Sequence, residues 1–496
     1  MKETPTPNYQ WLLPSVSVLV FILVFWISLS FMPQMLNGDS DLGRHITLGN
    51  IILETSTIPT TDIFSHTMQG IFMVPHEWLS QLVFALVHQV AALNGIAWLT
   101  AALIAATYAI TTITLQQSGV RAFLALAGGI FASVVGAIHT LTRPHLFTLL
   151  FFALALLILE SYRRQQNGRV LLWLLPLMII WANTHGAFIS GLVLVLLYGL
   201  GAVLEKQIRP AISLFIMLAL LLFVSLLNPV GFALLENSFA YLQEDFLVNL
   251  TNEYRSPNFH SISTWPFAAL LLGSLALGWQ TGRRLRWTAL ILLLVWTAFA
   301  LYSARNIPLY GLVAVIILLP EADAWIDDGW PFLGRFLSGT DEAARHTWGW
   351  MWAAVTVVSL IWLQAAGAKM DVFQVGNTFN PNHFPIAAVN AIENKLPEGV
   401  MFNEFSWGGY LLYRLWPEKK VFIDAQTDFY GEELTREFLQ IANAETGWED
   451  KLDHYDVQWI IIPPTIPLAD WLAQTTRWEQ IYDDETAVIW VRKPGE

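Results

Sequence analysis

The sequence predicts a polytopic α-helical membrane protein of about eleven transmembrane helices, followed by a C-terminal extracytoplasmic α/β domain. Hydrophobic residues occupy 55% of the 496 positions, and charged residues occupy only 13%. A soluble protein carries about 25% charged residues. The apolar residues also gather in runs close to the length that crosses a bilayer. An integral membrane protein is the class that accounts for both observations.

The candidate transmembrane helices follow one another from the N-terminus. They lie at about 14–33, 95–115, 121–140, 146–162, 170–182, 187–204, 211–228, 265–280, 286–302, 307–320 and 349–367. One further apolar stretch, residues 78–93, either crosses the membrane or lies at its interface as an amphipathic helix. This choice decides on which side of the membrane the chain ends.

Basic residues predict the orientation of the membrane domain, residues 1–368. They fall in alternate loops, at Arg121, Arg163, Arg164, Arg169, Lys206, Arg209, Arg283, Arg284, Arg286, Arg335 and Arg345. By the positive-inside rule these loops are cytoplasmic, together with the N-terminus. The helices alternate correctly if residues 78–93 are interfacial. We therefore expect a plasma-membrane protein with a cytoplasmic N-terminus and an extracytoplasmic C-terminal domain.

The composition changes after Trp362, and residues 369–496 are predicted to form the α/β domain. Short buried strands are predicted at Val400–Asn403, Lys420–Asp424 and Val457–Ile462, and a hairpin at Glu479–Asp483 and Ala487–Arg492. Helices are predicted at Ala388–Leu396, Glu432–Ala442 and Leu468–Gln474. The domain contains no nucleotide-binding or serine-hydrolase motif. The chain has no cysteine, which excludes thiol catalysis and disulfides, and no basic stripe indicates nucleic acid.

Polar residues gather in the loops that are predicted to lie outside. The first outer loop, residues 34–94, carries Asp39, Asp41, Arg44, His45, His66, His76 and Glu77. Later outer loops carry His139, Arg143, His145, Asn183, His185, Glu253, Arg255, His260, Arg305 and Asn306. Ionisable groups at a membrane boundary are costly and commonly bind ions or do chemistry. Each residue alone can be an ordinary solvated loop residue, which is the interpretation favoured for His66, His260 and Asn306, but the one-sided gathering predicts an outward-facing cavity with a functional site.

The strongest candidate is Asp39-Ser40-Asp41, directly after the first membrane segment. A spacing of two places both carboxylates on one side of an extended segment, where they can share a divalent cation such as Mg²⁺ or Mn²⁺. Alternatively, one aspartate is a general base that deprotonates an acceptor hydroxyl. A structural interpretation is also open, because either aspartate can cap a helix over Leu42–Leu53. A cap and a functional site are compatible.

His76-Glu77 precedes the apolar stretch 78–93. The glutamate is favourably placed if a helix begins there, because the helix dipole stabilises a negative charge at its N-terminus. It can equally complete a metal or acceptor site with Asp39. Both interpretations remain open, and His76 and Glu77 are kept as candidate catalytic residues.

Outer-loop arginines are candidates for binding a phosphate near the membrane surface. A guanidinium group offers a bidentate fork for phosphate. The candidates are Arg143 and His145 of Arg143-Pro144-His145, Arg255 of Glu253-Tyr254-Arg255, and Arg305. The alternative for each arginine is a structural ion pair, for instance between Arg255 and Glu253 or Glu77.

In the C-terminal domain, the segment from Asn403 to Tyr410 links a predicted strand to a helix, and the pair Gly408-Gly409 permits close backbone approach. Asp424 closes a predicted strand, where α/β domains commonly place functional groups. A turn followed by a helix cap explains the same residues without any function.

Together these features resemble the C-type membrane glycosyltransferase superfamily, which includes protein mannosyltransferases, lipid A aminoarabinose transferases and oligosaccharyltransferase catalytic subunits. The resemblance covers residues 10 to 320 and is mainly architectural. Asp39 and Asp41 fall where that family keeps its catalytic acid after the first helix. Arg143-Pro144-His145 falls in its second polar outer loop.

This resemblance implies transfer of a sugar from a polyprenyl-phosphate-linked donor to a lipid, glycan or protein acceptor on the outer face of the membrane. It implies that Asp39 or Asp41 is the base, that His76 and Glu77 assist or hold a cation, and that Arg143, Arg255 and Arg305 bind the donor phosphate. The competing class is a non-enzymatic protein, either a transporter of lipid-linked sugars or an envelope-assembly scaffold. A transporter should bind near the membrane midplane, whereas these ionisable residues lie at one face.

The C-terminal domain departs from the oligosaccharyltransferase pattern. Those subunits carry a Trp-Trp-Asp-Tyr-Gly string, whereas this chain has Ser406-Trp407-Gly408-Gly409-Tyr410. The acidic member is absent, so the resemblance does not imply recognition of an Asn-x-Ser/Thr acceptor.

Overall fold

The computed structural model describes residues 12–38, 40–240, 246, 252–281, 285–344, 348–365 and 377–493. Asp39, Arg283, Arg284 and Arg345 lie outside these ranges, as does the predicted boundary between the two domains near residue 368. That boundary therefore stays a prediction.

A helical bundle makes up most of the described chain. Within the described ranges, six helices are long and apolar enough to cross a membrane, at Trp78–Gln117, Ala122–His139, His145–Gln165, Gly186–Leu204, Ile208–Ser225 and Ala304–Gly329. Five shorter apolar helices lie at Val16–Ser30, Gly168–Thr184, Ile262–Gly278, Trp287–Tyr302 and Met351–Leu363. These helices overlap the segments predicted from hydropathy, and a mostly helical chain with candidate membrane spans is confirmed. Because the shorter helices fall below spanning length, the count of about eleven crossings stays a prediction.

Further helices lie at the edges of the bundle and in its loops. They are Met32–Asn37, Leu42–Thr55, Ala233–Ala240 and Pro331–Ala344. Leu42–Thr55 begins just after Asp41 and belongs to the first outer loop. It packs against the start of the next helix, where a Cβ added at Gly49 would lie 2.1 Å from the carbonyl oxygen of Gln81. The two outer-loop helices are therefore in close backbone contact.

The ambiguous stretch 78–93 is the first part of the helix Trp78–Gln117, which is interrupted at its middle. Ala91 and Ala92 have non-helical backbone angles, with φ of −142° and 48°. Before this kink, His88 Nε2 lies 3.1 Å from the hydroxyl of Tyr413 in the C-terminal domain. After the kink, the helix enters the bundle. The two halves thus have different surroundings, and whether residues 78–93 cross the membrane or lie at its interface stays open.

Side chains from the predicted cytoplasmic loops meet at one end of the bundle. The backbone N–H of Arg121 donates to Asp323 Oδ2 at 2.9 Å. Nη1 of the Arg121 side chain donates to Asp327 Oδ1 at 2.8 Å. Arg164 Nη1 donates to Ser118 Oγ at 2.7 Å. These contacts bring three of the predicted cytoplasmic loops together, while the assignment of the basic loops to the cytoplasm stays a prediction.

The C-terminal domain is built on a four-stranded sheet in the order β1-β2-β4-β3. Its strands are β1 (Val400–Asn403), β2 (Val457–Ile462), β3 (Trp478–Asp483) and β4 (Val488–Arg492). β1 and β2 are parallel, and β4 is antiparallel to both β2 and β3. The surrounding helices are Ile386–Ile392, Gly408–Leu415, Thr427–Ala442, Trp448–His454 and Pro467–Leu472. Strands β1 and β2 and the hairpin agree with the sequence prediction.

The predicted strand Lys420–Asp424 is wrong, because this segment is not part of the sheet. Val421 instead pairs with Ser65 of the first outer loop through one parallel bridge. Its N–H donates to the carbonyl of Phe64, and its carbonyl accepts from the N–H of His66, both at 3.0 Å. The apolar residues that suggested a strand are buried by the outer loop, so the segment joins the two parts of the chain.

Glycines let the outer-loop helix Leu42–Thr55 dock on the helix Gly408–Leu415. A Cβ added at Gly43 would lie 2.3 Å from the carbonyl oxygen of Gly409, and one added at Gly409 would lie 2.2 Å from that of Ser40. Only a residue without a side chain permits such contacts. The close approach expected of Gly408-Gly409 is confirmed, and it places Asp41 and Arg44 directly under the C-terminal domain.

Candidate active site

Asp41 contacts Arg143 at the end of the bundle that is covered by the C-terminal domain. Asp41 Oδ2 lies 3.1 Å from Arg143 Nη2, and Arg143 Nη1 lies 3.4 Å from Glu253 Oε1. Asp41 stands at the N-cap position of Leu42–Thr55, yet its side chain makes no capping hydrogen bond there. The helix-cap interpretation therefore does not explain Asp41. The ion-pair interpretation does hold for Arg143, which bridges two acids from separate loops.

Burial raises the pKa of Asp41, while Arg143 and Arg44 act in the opposite direction. Desolvation disfavours the charged form of a carboxyl group, and nearby cations favour it. The net effect is an aspartate that takes up a proton more readily than an exposed one does. This property suits a general base.

Glu77 lies among three histidine side chains. Its carboxylate oxygens are 3.8 Å from His45 Nδ1, 3.9 Å from His76 Nε2 and 3.8 Å from His185 Nε2. Burial raises the pKa of Glu77 and lowers that of His45. Glu77 directly precedes the helix that begins at Trp78, as the helix-dipole interpretation requires. Its position is therefore compatible with both interpretations.

Arg305 belongs to a different helix and contacts the cluster that Glu77 forms with its three histidines. Its Nη2 lies 3.3 Å from His185 Nε2, and its guanidinium group hydrogen-bonds the hydroxyl of Tyr254 and lies 5.0 Å above that ring. Since His185 contacts Glu77, the histidine links Arg305 to the first outer loop. The predicted residues Glu77 and Arg305 are thus brought together by the fold.

The other two predicted phosphate ligands are placed less favourably. His145 is buried, with its ring 4.4 Å from that of His139, whose Nδ1 lies 3.3 Å from Glu253 Oε2. The side chain of Arg255 is exposed, and its backbone carbonyl accepts from the N–H of Ala304 at 2.9 Å. A direct contact of either residue with a phosphate stays a prediction.

A buried ion pair between Arg44 and Asp424 was not anticipated from the sequence. Arg44 Nε lies 3.0 Å from Asp424 Oδ2, and the two side chains are 4% and 0% exposed. The other oxygen of Asp424 accepts from the N–H of Gln426 at 2.9 Å. Burial raises the pKa of Asp424 to about 6, although Arg44 lowers it. Arg44 and Asp424 each stand out in the sequence, but nothing in the sequence indicates that they meet.

Two cavities that share three lining residues adjoin this part of the chain. A cleft of about 290 Å³ is lined by Phe72, Met73, Val74, Ala233, Glu236, Asn237, Gln426, Asp428 and Phe429. Met73, Val74 and Gln426 also line a small inner pocket, whose remaining walls include Arg44, Gln81, His76 and Glu77. Of the residues expected to line one cavity, His76 and Glu77 therefore do so. Asp41 and Arg143 form their ion pair next to Arg44, and Arg255 lies at the surface.

The predicted cation site is not completed by the described residues. Within them, no group of three or more histidine or acidic side chains is arranged to hold a metal ion. Asp41 is paired with Arg143, and Asp39 lies outside the described ranges. A divalent cation at Asp39 and Asp41 stays a prediction.

Comparison with solved structures identifies the fold. The oligosaccharyltransferase of Archaeoglobus fulgidus in its apo form matches with a TM-score of 0.57 and 10% identity, over 92% of this chain and 70% of that chain. The same archaeal enzyme, AglB, in complex with an inhibitory peptide and a dolichol-phosphate, matches with a TM-score of 0.56 and 10% identity, over 89% and 69%. The chain has the fold of the membrane C-type glycosyltransferases.

A second enzyme type shares this fold. The arabinofuranosyltransferase AftD from mycobacteria matches with a TM-score of 0.57 and 11% identity, over 98% of this chain. The present chain spans only 40% of the length of AftD. No family model matches the sequence, and no curated protein matches it. The likeness thus rests on three-dimensional structure, and it establishes the fold of a C-type glycosyltransferase without naming a donor or an acceptor.

Proposed function

We propose that this membrane protein transfers a sugar from a polyprenyl-phosphate-linked donor to an acceptor on the outer face of the plasma membrane. The C-type glycosyltransferase fold supports this proposal. The observation that carries it is the contact of Asp41 with Arg143 at 3.1 Å. A carboxylate with only 16% of its side chain exposed and a phosphate-binding type of side chain, which come from separate loops, are thereby held together at one end of the bundle.

The acceptor hydroxyl attacks the anomeric carbon of the donor sugar, and the bond from that carbon to the phosphate oxygen breaks. The hydroxyl proton passes to Asp41, and the leaving group departs as polyprenyl phosphate. Because burial raises the pKa of Asp41, the proton is accepted more readily than by an exposed aspartate. Asp39, which precedes it by two positions, is the alternative base in the same segment.

Arg143 and Arg305 are the proposed ligands of the donor phosphate. Guanidinium groups form bidentate, charge-assisted hydrogen bonds to phosphate oxygens. Arg143 forms ion pairs with Asp41 and Glu253. A bound phosphate would therefore replace one of these two carboxylates as the partner of Arg143. The solved structure of AglB contains a dolichol-phosphate, which makes a lipid phosphate the natural donor type to propose. His76 and Glu77 assist next to this site.

The transporter alternative fits the geometry less well. A transporter should place its binding groups near the middle of the membrane. Here the four residues belong to loops or helix ends: Asp41 contacts Arg143, and Glu77 and Arg305 both contact His185. This distribution supports surface chemistry on a lipid-linked substrate.

Mass spectrometry of the cell envelope, with and without the gene, tests the proposal. Deletion should remove one glycan modification and raise the level of the matching polyprenyl-phosphate sugar. Re-expression of the parent should restore both, whereas an Asp41→Asn variant should restore neither. An unchanged set of glycans and lipid-linked sugars after deletion would remove the basis for the enzyme assignment.

A further inference from the structure

The helix Pro331–Ala344 has an apolar face that the described part of the chain leaves uncovered. Phe332, Leu333 and Phe336 are 81%, 38% and 58% exposed, and Trp330, which directly precedes the helix, is 60% exposed. Phe332 and Phe336 are four residues apart, so they lie on the same side of the helix. Large apolar side chains gathered on one exposed face mark a surface that contacts a protein or a membrane.

The other side of this helix is fixed to one end of the bundle, at Arg121. Nη1 of Arg121 donates to the carbonyl of Gly334 at 2.9 Å, and Asp341 Oδ1 accepts from the N–H of Ala122 at 3.3 Å. Leu337, which lies between these two positions, is 1% exposed. Residues spaced by three, four and seven share one face of a helix. That face is therefore turned to the bundle, and the phenylalanines point away from it.

Both ends of this segment join apolar helices of the bundle. The candidate span Ala304–Gly329 is separated from the surface helix by Trp330 alone. After the surface helix, the N–H of Trp348 donates to the carbonyl of Leu13 at 3.1 Å, just before the apolar helix Val16–Ser30. The surface helix is thus held beside the ends of two apolar helices, where the hydrocarbon region of a bilayer meets water.

Exposed tryptophans lie on both sides of the helix in sequence. Trp330 precedes it, and Trp348, Trp350 and Trp352 follow it with exposures of 62%, 37% and 41%. Tryptophan is enriched at the membrane–water interface, because its ring is apolar and its N–H group is polar. These residues indicate that the partner of the apolar face is a bilayer.

The charges of the helix indicate how it binds the bilayer. Residues 331–344 contain one basic residue, Arg335, and two acids, Asp341 and Glu342. Helices that bind membranes through anionic headgroups are rich in lysine and arginine on their polar face. This helix has one arginine against two acids. Burial of its apolar face should therefore provide the binding, without attraction to negatively charged lipids.

We propose that the helix Pro331–Ala344 lies parallel to the membrane plane at the Arg121 end of the bundle, with Phe332, Leu333 and Phe336 inserted among the lipid acyl chains. The partner is the bilayer itself, whatever the charge of its headgroups. Through Arg121 and Ala122, the inserted helix holds one end of the bundle at the membrane surface. This inference does not depend on the proposed sugar transfer.

Spin labelling of the full-length protein in lipid nanodiscs tests the proposal. The chain has no cysteine, so one introduced cysteine carries the only label. Phe332→Cys and Phe336→Cys place the label on the apolar face, and Ser338→Cys is the matched control. All three side chains are exposed, so the substitutions remove no buried contact. Two residues turn a helix by about 200°, so Ser338 faces away from Phe336.

We expect the labels at positions 332 and 336 to collide readily with oxygen, which dissolves in lipid, and rarely with a water-soluble nickel chelate. Their depth should be about 5–10 Å, as for other interfacial helices. The label at position 338 should show the opposite preference. Nanodiscs of phosphatidylcholine alone and of phosphatidylcholine mixed with phosphatidylglycerol should give the same depths.

The proposal is overturned if the nickel chelate reaches positions 332 and 336 as readily as position 338, because the face would then lie in water. It is also overturned if neither reagent reaches them, since a protein surface would then cover the face. Insertion in the presence of phosphatidylglycerol only would show that charge attraction is required. A lipid signal at one of the two positions alone would contradict a common apolar face.

Discussion

Asp41 and Arg143 face each other at 3.1 Å, although one follows the first membrane helix and the other lies between two later ones. Arg143 also reaches Glu253 at 3.4 Å from a third loop. The proposed base and the proposed phosphate ligand are therefore partners before any substrate binds. Binding of a donor phosphate would draw Arg143 away and leave Asp41 available to accept a proton.

Asp41→Asn should lower sugar transfer by about 100-fold or more, the usual contribution of a general base. Asparagine keeps the shape of the side chain and caps helices as well as aspartate does, so expression and folding should persist. Transfer of labelled sugar by the purified protein measures the effect. Asp450→Asn, at an exposed position of the C-terminal domain, is the control. Equal product from the Asp41→Asn variant and the parent would reduce Asp41 to a structural residue.

The rate of transfer should fall on the acid side at a pH above the ordinary aspartate value of 3.8, because burial raises the pKa of Asp41. The base acts only when ionised, so activity is present above this raised pKa and is lost as the pH falls through it. The pH dependence of kcat/KM for the free enzyme reports this group. An acid limb centred at or below the ordinary value would contradict the assignment of Asp41 as the base.

Arg143→Gln and Arg305→Gln should each raise the KM for the lipid-linked donor by about 10- to 100-fold, as expected for a lost hydrogen bond to a charged group. Binding of undecaprenyl phosphate should weaken in parallel. Arg169→Gln removes an exposed arginine from a predicted cytoplasmic loop and should change neither quantity. Unaltered lipid binding in both outer-loop variants would leave Arg143 and Arg305 as structural ion-pair partners.

Arg44→Met should destabilise the folded protein by about 3–5 kcal/mol, because it leaves the buried carboxyl group of Asp424 without its ion-pair partner. The double variant Arg44→Met with Asp424→Leu removes both charges and should recover most of that loss. Thermal unfolding in detergent compares the single and double variants. If the double variant is as unstable as the sum of the two single ones, the pair at 3.0 Å is not coupled.

Reporter fusions after Arg169 and after residue 496 should report opposite compartments. The positive-inside rule places the loop at Arg169 in the cytoplasm, and the C-terminal domain covers the other end of the bundle. A phosphatase active only in the second fusion, and a fluorescent protein active only in the first, would agree with this topology. The same compartment for both fusions would overturn it.

The sequence alone was sufficient for the class of the protein and for much of its local structure. Long apolar runs specify membrane helices because the bilayer leaves backbone groups no other partners. Strands β1 and β2 followed from short apolar runs bounded by turn residues. The segment Lys420–Asp424 carries the same signal, yet its burial comes from Ser65 and its neighbours in the outer loop. A pattern of apolar residues records that a segment is buried, but it does not record what covers it.

In the candidate site, too, some features could be predicted from the sequence and others were decided only by the tertiary structure. The one-sided placement of Asp41, Glu77 and Arg143 could be predicted, because loop order and basic residues set the sides of a membrane protein. The pairing of Arg44 with Asp424, and the meeting of Gln81 with Gln426 at one pocket, were decided by the docking of the outer loop on the C-terminal domain. Such contacts depend on backbone approach at Gly43 and Gly409. They join distant parts of the chain, and no local periodicity carries that information.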